Sequence, residues 1–322
     1  MRLSNLHIST AITIFIALIS CPAMSAQTTQ LTDGPSEWQL PADLPASVTV
    51  TESYLKGKKS PAANEDGIVV TPDYIAVIDG ATSKSDFSLD GKKSGRLAME
   101  IICDAIRTLP SDATMPEAID LITGAIAGFY TTHGLTEEIR EAPNKRFVAN
   151  GVIYSIARRE IWQIGDCQLR FADVYSRNEK DIDHIMALAR AAMNETAIAA
   201  GMTPEELAST DPGRAFITPF LQRQAMLQNN PTPGLRFSFP VFDGTPVDPD
   251  KVKVFHVAPG TEIILTSDGY PEVLPTLAES EAALSRILST DPMCMREGLS
   301  TKGITPGNIS FDDRAYIRFT HR

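Results

Sequence analysis

The stretch NEDGIVVTPDYIAVIDG, residues 64–80, constrains the fold more than any other part of the chain. Two β-branched and aromatic runs, IVVT and YIAVI, flank Pro72-Asp73, a pair suited to a tight turn because the proline ring presets φ. They read as a hairpin. With Pro72 and Asp73 as its loop, Thr71 faces Tyr74, Asp66 faces Asp79 and Glu65 faces Gly80. Three carboxylates then share one end. Directly opposed side chains are about 4.5–5.5 Å apart, where like charges repel, so this end calls for open water or a bound cation. Mg²⁺ and Mn²⁺ suit it, since both favour carboxylate, carbonyl and water oxygens. Taken alone, the stretch is equally compatible with an ordinary hairpin whose polar ends are solvated.

The chain has 322 residues, 43% of them hydrophobic, with no long biased or repeated segment, which favours one large domain carrying at most an insertion. Its net charge is −11, and removing residues 1–26, which hold one Arg and no acid, leaves −12. That balance argues against a nucleic-acid partner, whose usual footprint is a basic face. Residues 1–26 combine Arg2, an apolar run from Ile8 to Ile19 and small residues at Ala23–Ala26, the pattern of an export signal to the periplasm or outside. The apolar run is short for a membrane span. Within it, LISC resembles a bacterial lipoprotein box that would place a lipid, and the only membrane attachment, on Cys21; AMSA offers an ordinary cleavage site just beyond. An uncleaved anchor is the third option. Residues 27–47 read as a Thr/Pro/Ser-rich linker, and the folded domain runs from 48 to 322.

Beyond Cys21 only Cys103, Cys167 and Cys294 remain, an odd number without metal-type spacing, which reads as inert thiols. His133, His184 and His256 are scattered and fit surface or structural roles. No nucleophilic motif stands out.

A strand is expected near 48–54. After the hairpin, helical periodicity covers 94–109, with Leu97, Ile101, Ala105 and Leu109 on one face; a capping box, Thr114 and Glu117, then opens a second helix carrying Ile119, Ile122, Ile126 and Phe129. RFVANGVIYSIA, EIWQIG and LRFADVY follow as short strands with tight connections, expected to form an antiparallel meander. Residues 179–230 turn Ala- and Met-rich, with a capping box at Thr203 and Glu206, and read as a helical insertion whose Met/Ala stripe serves packing. KVKVFHV and EIILTSDG resume the strands, a helix opens at Thr276 with Glu279, and RAYIRF ends the chain. If the last two strands are antiparallel neighbours, Asp268 after the first meets Asp312 and Asp313 before the second.

The order NED, VIDG, a helix, QIGDCQL, LTSDGYPE and a terminal DD before the last strand resembles the metal-dependent serine/threonine protein phosphatases, the PPM or protein phosphatase 2C type, over about residues 48–320. The resemblance implies an α+β fold, a sandwich of two antiparallel β-sheets flanked by helices. It implies two Mn²⁺ or Mg²⁺ ions, with Asp79 bridging them, Glu65 and the Gly80 carbonyl on the first, Asp268 and Asp312 on the second, and Asp66 acting through water. Asp166 and Glu272 match positions that build a weaker third metal site in some members. The implied reaction is phosphomonoester hydrolysis by hydroxide shared between the metals, which needs no side-chain nucleophile. Two departures stand out. Pro61 occupies the place of the family's phosphate-gripping Arg, leaving Lys58 and Lys59 as the nearest bases, and Ala81, followed by Thr82, Ser83 and Lys84, replaces the His of eukaryotic members. The expected partner is a phosphorylated protein; a small phosphoester and a catalytically silent binding module are the alternatives, the last disfavoured by the retained carboxylates.

Overall fold

A computed structural model describes residues 39–41, 44–82, 84–85 and 87–322; residues 1–26, where an export signal is expected, Cys21 among them, and residues 27–38 lie outside the described residues. The chain opens with β1 (Val48–Lys56), followed by the hairpin of β2 (Asp66–Val70) and β3 (Tyr74–Gly80). Its register is the expected one: Asp66 pairs with Asp79 and Gly67 with Ile78, and the Thr71 amide donates to the Tyr74 carbonyl at 2.8 Å across the Pro-Asp turn. Every residue of β2 and β3 is buried, which is why IVV and YIAVI are continuous apolar runs rather than alternating ones.

A two-strand ribbon, β4 (Ser88–Leu89) with β5 (Lys92–Lys93), leads into α1 (Ser94–Arg107), α2 (Met115–Thr132) and the short α3 (Thr136–Glu141). The capping box of Thr114 and Glu117 starts α2 as expected. In α1 the buried hydrophobic residues are Leu97, Ala98, Met99, Ile102, Cys103 and Ile106, while Ile101 and Ala105 are only partly covered. The helix packs on both β3 and α2, so its covered arc is broader than, and rotated from, the expected 97-101-105-109 stripe.

The strands β6 (Ala149–Ser155), β7 (Glu160–Ile164), β8 (Gln168–Phe171) and β9 (Val174–Ser176) do not form one meander. One sheet has the order β10-β7-β6-β3-β2 and the other β1-β12-β11-β8-β9, including β10 (Lys253–His256), β11 (Glu262–Thr266) and β12 (Arg314–His321). The chain therefore changes sheets between Ile164 and Gln168. The turn is made at Gly165, whose φ of +78° suits glycine.

Between the sheets lies a core of alternating strand residues, among them Ile75, Val77, Val152, Leu169, Leu265 and Ile317. The opposite set, Ala76, Ile78, Ile153 and Trp162, packs with α1 and α2. On the outer face of the second sheet Ile264 and Tyr316 meet Leu277 of α7 (Leu277–Thr290), itself started by the Thr276–Glu279 capping box. The result is a four-layer α/β/β/α sandwich, the expected class.

The insertion contains α4 (Asp181–Ala199), α5 (Pro204–Thr210), with its Thr203–Glu206 capping box, and α6 (Pro212–Arg223). Ala187 and Ala191 pack and are buried, but Ala192, Met193 and Met226 are exposed, so the expected Met/Ala packing stripe holds only in part. Small size is what the contact requires: a Cβ on Gly213 of α6 would lie 2.3 Å from the Arg190 carbonyl of α4. Cys103, Cys167 and Cys294 are buried free thiols. Among the described residues no helix is long and apolar enough to cross a membrane.

Candidate metal centre

Strand ends deliver the acidic residues to one place. Asp66 and Asp79 arrive paired on β2 and β3, and Asp166 follows the Gly165 turn. The antiparallel pairing of β11 with β12, Thr266 opposite Tyr316, brings Asp268 beside Asp312 and Asp313, as the sequence suggested. One carboxylate oxygen from each of Asp79, Asp166 and Asp268 lies within 4.8 Å of the others. Asp79, Gly80, Asp166, Asp268 and Asp312 all line a single cavity of about 450 Å³.

Close backbone packing holds this floor. A Cβ on Gly80 would lie 2.2 Å from the Gly95 carbonyl at the start of α1, so the DG ending of β3 is a packing requirement as well as an acidic one. The Gly80 amide donates to the Glu65 carbonyl at 3.0 Å, and Arg96 of α1 donates to the Asn64 carbonyl at 2.7 Å, fixing the NED segment. At the Gly165-Asp166 turn a Cβ would come 2.0 Å from Asn150 Oδ1. Asn150, which sits opposite Asp79 in the β3–β6 register, donates from its Nδ2 to Asp166.

The electrostatics fit a cation. Glu65 Oε1 and Asp66 Oδ2 are buried without a hydrogen-bond partner, an arrangement that costs free energy unless a positive charge faces it. Burial pushes Asp66 well above the ordinary carboxylate range, reinforced by Asp313 and Asp312; Asp79 is raised likewise by burial, Asp268 and Asp66. Asp268 is pushed up to about 7 by burial and by the charges of Asp312 and Asp166. For Asp312 burial acts in the same direction but is outweighed by Lys302 and Lys58, which hold it below its usual range. This donor set, oxygen-only, partly unpartnered and mutually repelling, suits hard divalent ions.

Lys58 and Lys59 have separate fates. Lys58 turns inward: its amide donates to Asp313 Oδ1 at 2.7 Å, and its Nζ reaches Asp312 Oδ1 at 3.0 Å and Asp313 Oδ2 at 3.1 Å, with Glu65 at 3.6 Å. Lys59 is exposed and is not among the described residues lining the cavity. Glu272 is likewise exposed and outside the lining, which corrects its placement beside Asp166. The chain leaves the cavity at Pro271 so that Val273 and Leu277 can be buried beneath the second sheet's outer face, and Glu272 is carried away with it. Of the three scattered histidines, His133 and His256 are exposed away from the cavity, while His184 stands at its rim.

Asp313, expected in the cluster, anchors Lys58 and accepts the Glu65 amide at 3.1 Å. Three other contributors were not expected. Asn150 had a usable signal, because continuing the hairpin register into a third strand sets it opposite Asp79. Lys302, in ion-pair contact with Asp312, and Arg214, on the insertion, had none, since neither lies in a periodic segment pointing at the site.

No protein-family model and no curated protein sequence matches this chain. Among solved structures it is similar to the Mycobacterium tuberculosis serine/threonine phosphatase PstP/Ppp, at 15% identity over 85% of this chain and 98% of that one, with a TM-score of 0.43. The catalytic domain of PstP in complex with two manganese ions is similar at 15% identity, 85% and 97% coverage and a TM-score of 0.43. The Staphylococcus aureus serine/threonine phosphatase Stp1 follows at 12% identity, 85% and 94% coverage and a TM-score of 0.42.

Proposed function

We propose that this chain is a metal-dependent phosphomonoester hydrolase of the PPM type, acting on phosphorylated serine or threonine in proteins. The observation that carries the reading is the convergence of Asp79, Asp166 and Asp268 within 4.8 Å at the floor of a cavity, beside the unpartnered oxygens of Glu65 and Asp66. Asp79, Glu65 and Gly80 would hold one divalent ion and Asp79, Asp268 and Asp312 a second, with Asp66 contributing through water. Asp166 belongs to the same cluster and is the residue available to a third; Glu272 is not. When bound, Mn²⁺ or Mg²⁺ would supply Lewis acidity, activating water and offsetting phosphoryl charge.

The chain's own residues set the conditions for that chemistry. Lys58 and Lys302 keep Asp312 ionised and therefore ready to ligate. Asp313 fixes the Glu65 backbone, and Asn150 orients Asp166. Arg2, the following apolar run and the AMSA segment support action after export.

Purified protein should hydrolyse para-nitrophenyl phosphate and a phosphoserine peptide with Mn²⁺ and lose both activities with chelator. Preference for the peptide supports the protein-phosphatase reading, and hydrolysis of the small ester alone moves the substrate to small phosphoesters. Full activity in chelator would sink the metal-dependent reading.

A further inference from the structure

The cavity over the acidic floor is also lined by basic side chains, and their partners divide them into two groups. Lys180 is held by Asp166 at 2.7 Å and Asp183 at 3.1 Å, Arg146 by Asp243 at 3.1 Å and Arg177 by Glu179 at 2.9 Å. Lys84 and Arg214 differ. The Lys84 Nζ donates to the Thr82 carbonyl and one Arg214 Nη donates to the Thr301 carbonyl at 2.7 Å; neither has a carboxylate partner among the described residues. In a chain with a net charge of −11, two partly buried cations without a carboxylate are an unusual use of positive charge. They also repel: burial lowers Lys84 to about 7, and Lys302 and Arg214 add to that effect.

These two bases come from segments tied to each other and to the 301–302 loop before any ligand arrives. Gln222 of α6 donates to the Lys84 carbonyl at 3.1 Å, and the Arg214–Thr301 bond joins α6 to the residue preceding Lys302. Arg190, fully buried, bolts α4 to the same loop through the carbonyls of Met293 at 2.8 Å and Ser300 at 3.2 Å, and to Asp211 at 2.7 Å. A cluster of cations held in place against its own repulsion is prepared for an anion, as the floor is for cations. Lys58 is engaged by Asp312 and Asp313, and Lys59 lies outside, so neither is free for that task.

We propose that Lys84 and Arg214 form the subsite that grips the phosphoryl dianion of the substrate; Lys302, held by Asp312, is not part of it. This rests on the phosphatase reading above and assigns to the Lys84 segment and the insertion the role left open by Pro61. The shared ligand chemistry is a phosphate monoester, carried by a protein or by a small molecule.

The test measures inorganic phosphate binding calorimetrically to Mn²⁺-loaded wild type, Lys84→Gln, Arg214→Gln and Arg214→Lys, alongside KM for para-nitrophenyl phosphate and a phosphoserine peptide. Each Gln variant should weaken phosphate binding and raise KM about tenfold for both substrates, with the Mn²⁺-induced rise in melting temperature unchanged. Arg214→Lys should recover part of the loss. Phosphate affinity within about twofold of wild type in both Gln variants would overturn the proposal, as would a wild type that does not bind phosphate at millimolar concentration. A rise in KM for the peptide alone would also overturn it, by placing these cations on flanking residues of the substrate. Because phosphate binding is read without turnover, a protein that binds phosphate through these residues but hydrolyses nothing would refute the phosphatase reading and leave the subsite standing.

Discussion

Asp79 and Asp268 differ from ordinary surface carboxylates because each sits where burial and neighbouring acids oppose its ionisation. Replacing either with Asn keeps the side chain's size and removes one charge. Asp79→Asn and Asp268→Asn should each abolish Mn²⁺-dependent hydrolysis and most of the Mn²⁺-induced thermal shift, which for wild type at a hundredfold excess over Kd corresponds to about 2.7 kcal/mol. In chelator at neutral pH both variants should melt above wild type, because one member of a repelling set is gone; melting below it would show that the carboxylates are held by something other than a cation. This cluster was largely legible in the sequence. Asp66 against Asp79 followed from a two-residue turn and the alternation of side chains, which fix a register without knowledge of the rest of the chain. Glu272 was not legible, because its direction depends on Val273 and Leu277 finding the second sheet's outer face, a packing event remote from the SDG turn.

At the scale of elements, the capped helices and the hairpin were readable because their signals are local: Thr114 with Glu117, Thr203 with Glu206 and Thr276 with Glu279 each close a capping box within four residues. The division of β6–β9 between two sheets was not, since short strands with tight connections carry the same pattern whether they stay in one sheet or cross over. Nor did α4–α6 declare what they pack against. Arg190 supplies the answer, with its guanidinium shared among Asp211 and three loop carbonyls. Arg190→Met should leave Asp211 without its buried guanidinium, Asn194 remaining, and loosen the insertion together with loop 291–303 by about 3–5 kcal/mol. Hydrogen exchange should then rise in α4, α6 and that loop while β3 and β6 keep their protection; uniform loss across both sheets would refute a local latch.

For the whole molecule, the acidic centre predicts an inverted pH response. Asp268 moves from an ordinary 3.8 to about 7, and Asp66 and Asp79 move in the same direction, so the folded protein keeps protons that the unfolded chain has released. Without metal, this contribution therefore makes stability fall as pH rises between those two values. Asp312, depressed when folded, acts in the opposite sense only as pH falls below its ordinary value. Chelated protein should be more resistant to urea at pH 5.5 than at pH 7.5, and saturating Mn²⁺ should reverse that order; a chelated protein more stable at pH 7.5 would contradict the repulsion. The N-terminus makes a separate prediction: protein recovered from cells should begin near Gln27 by intact mass, with a lipidated start at Cys21 pointing to anchoring and an intact Met1 excluding both.

The crossing of the chain at Gly165 has a kinetic consequence. Asp79 ends a strand of one sheet, Asp268 and Asp312 flank strands of the other, and Asp166 sits on the connection between them. No single sheet contains the centre, so it cannot exist until the two sheets have docked and residues far apart in the chain have met. Divalent ions should then bind after the rate-limiting step of folding, leaving the refolding rate nearly unchanged while slowing unfolding, so that their whole stabilising effect appears in the unfolding limb of a denaturant chevron. Mn²⁺ that accelerated refolding to the same degree would instead mean that the carboxylates gather before the sandwich closes.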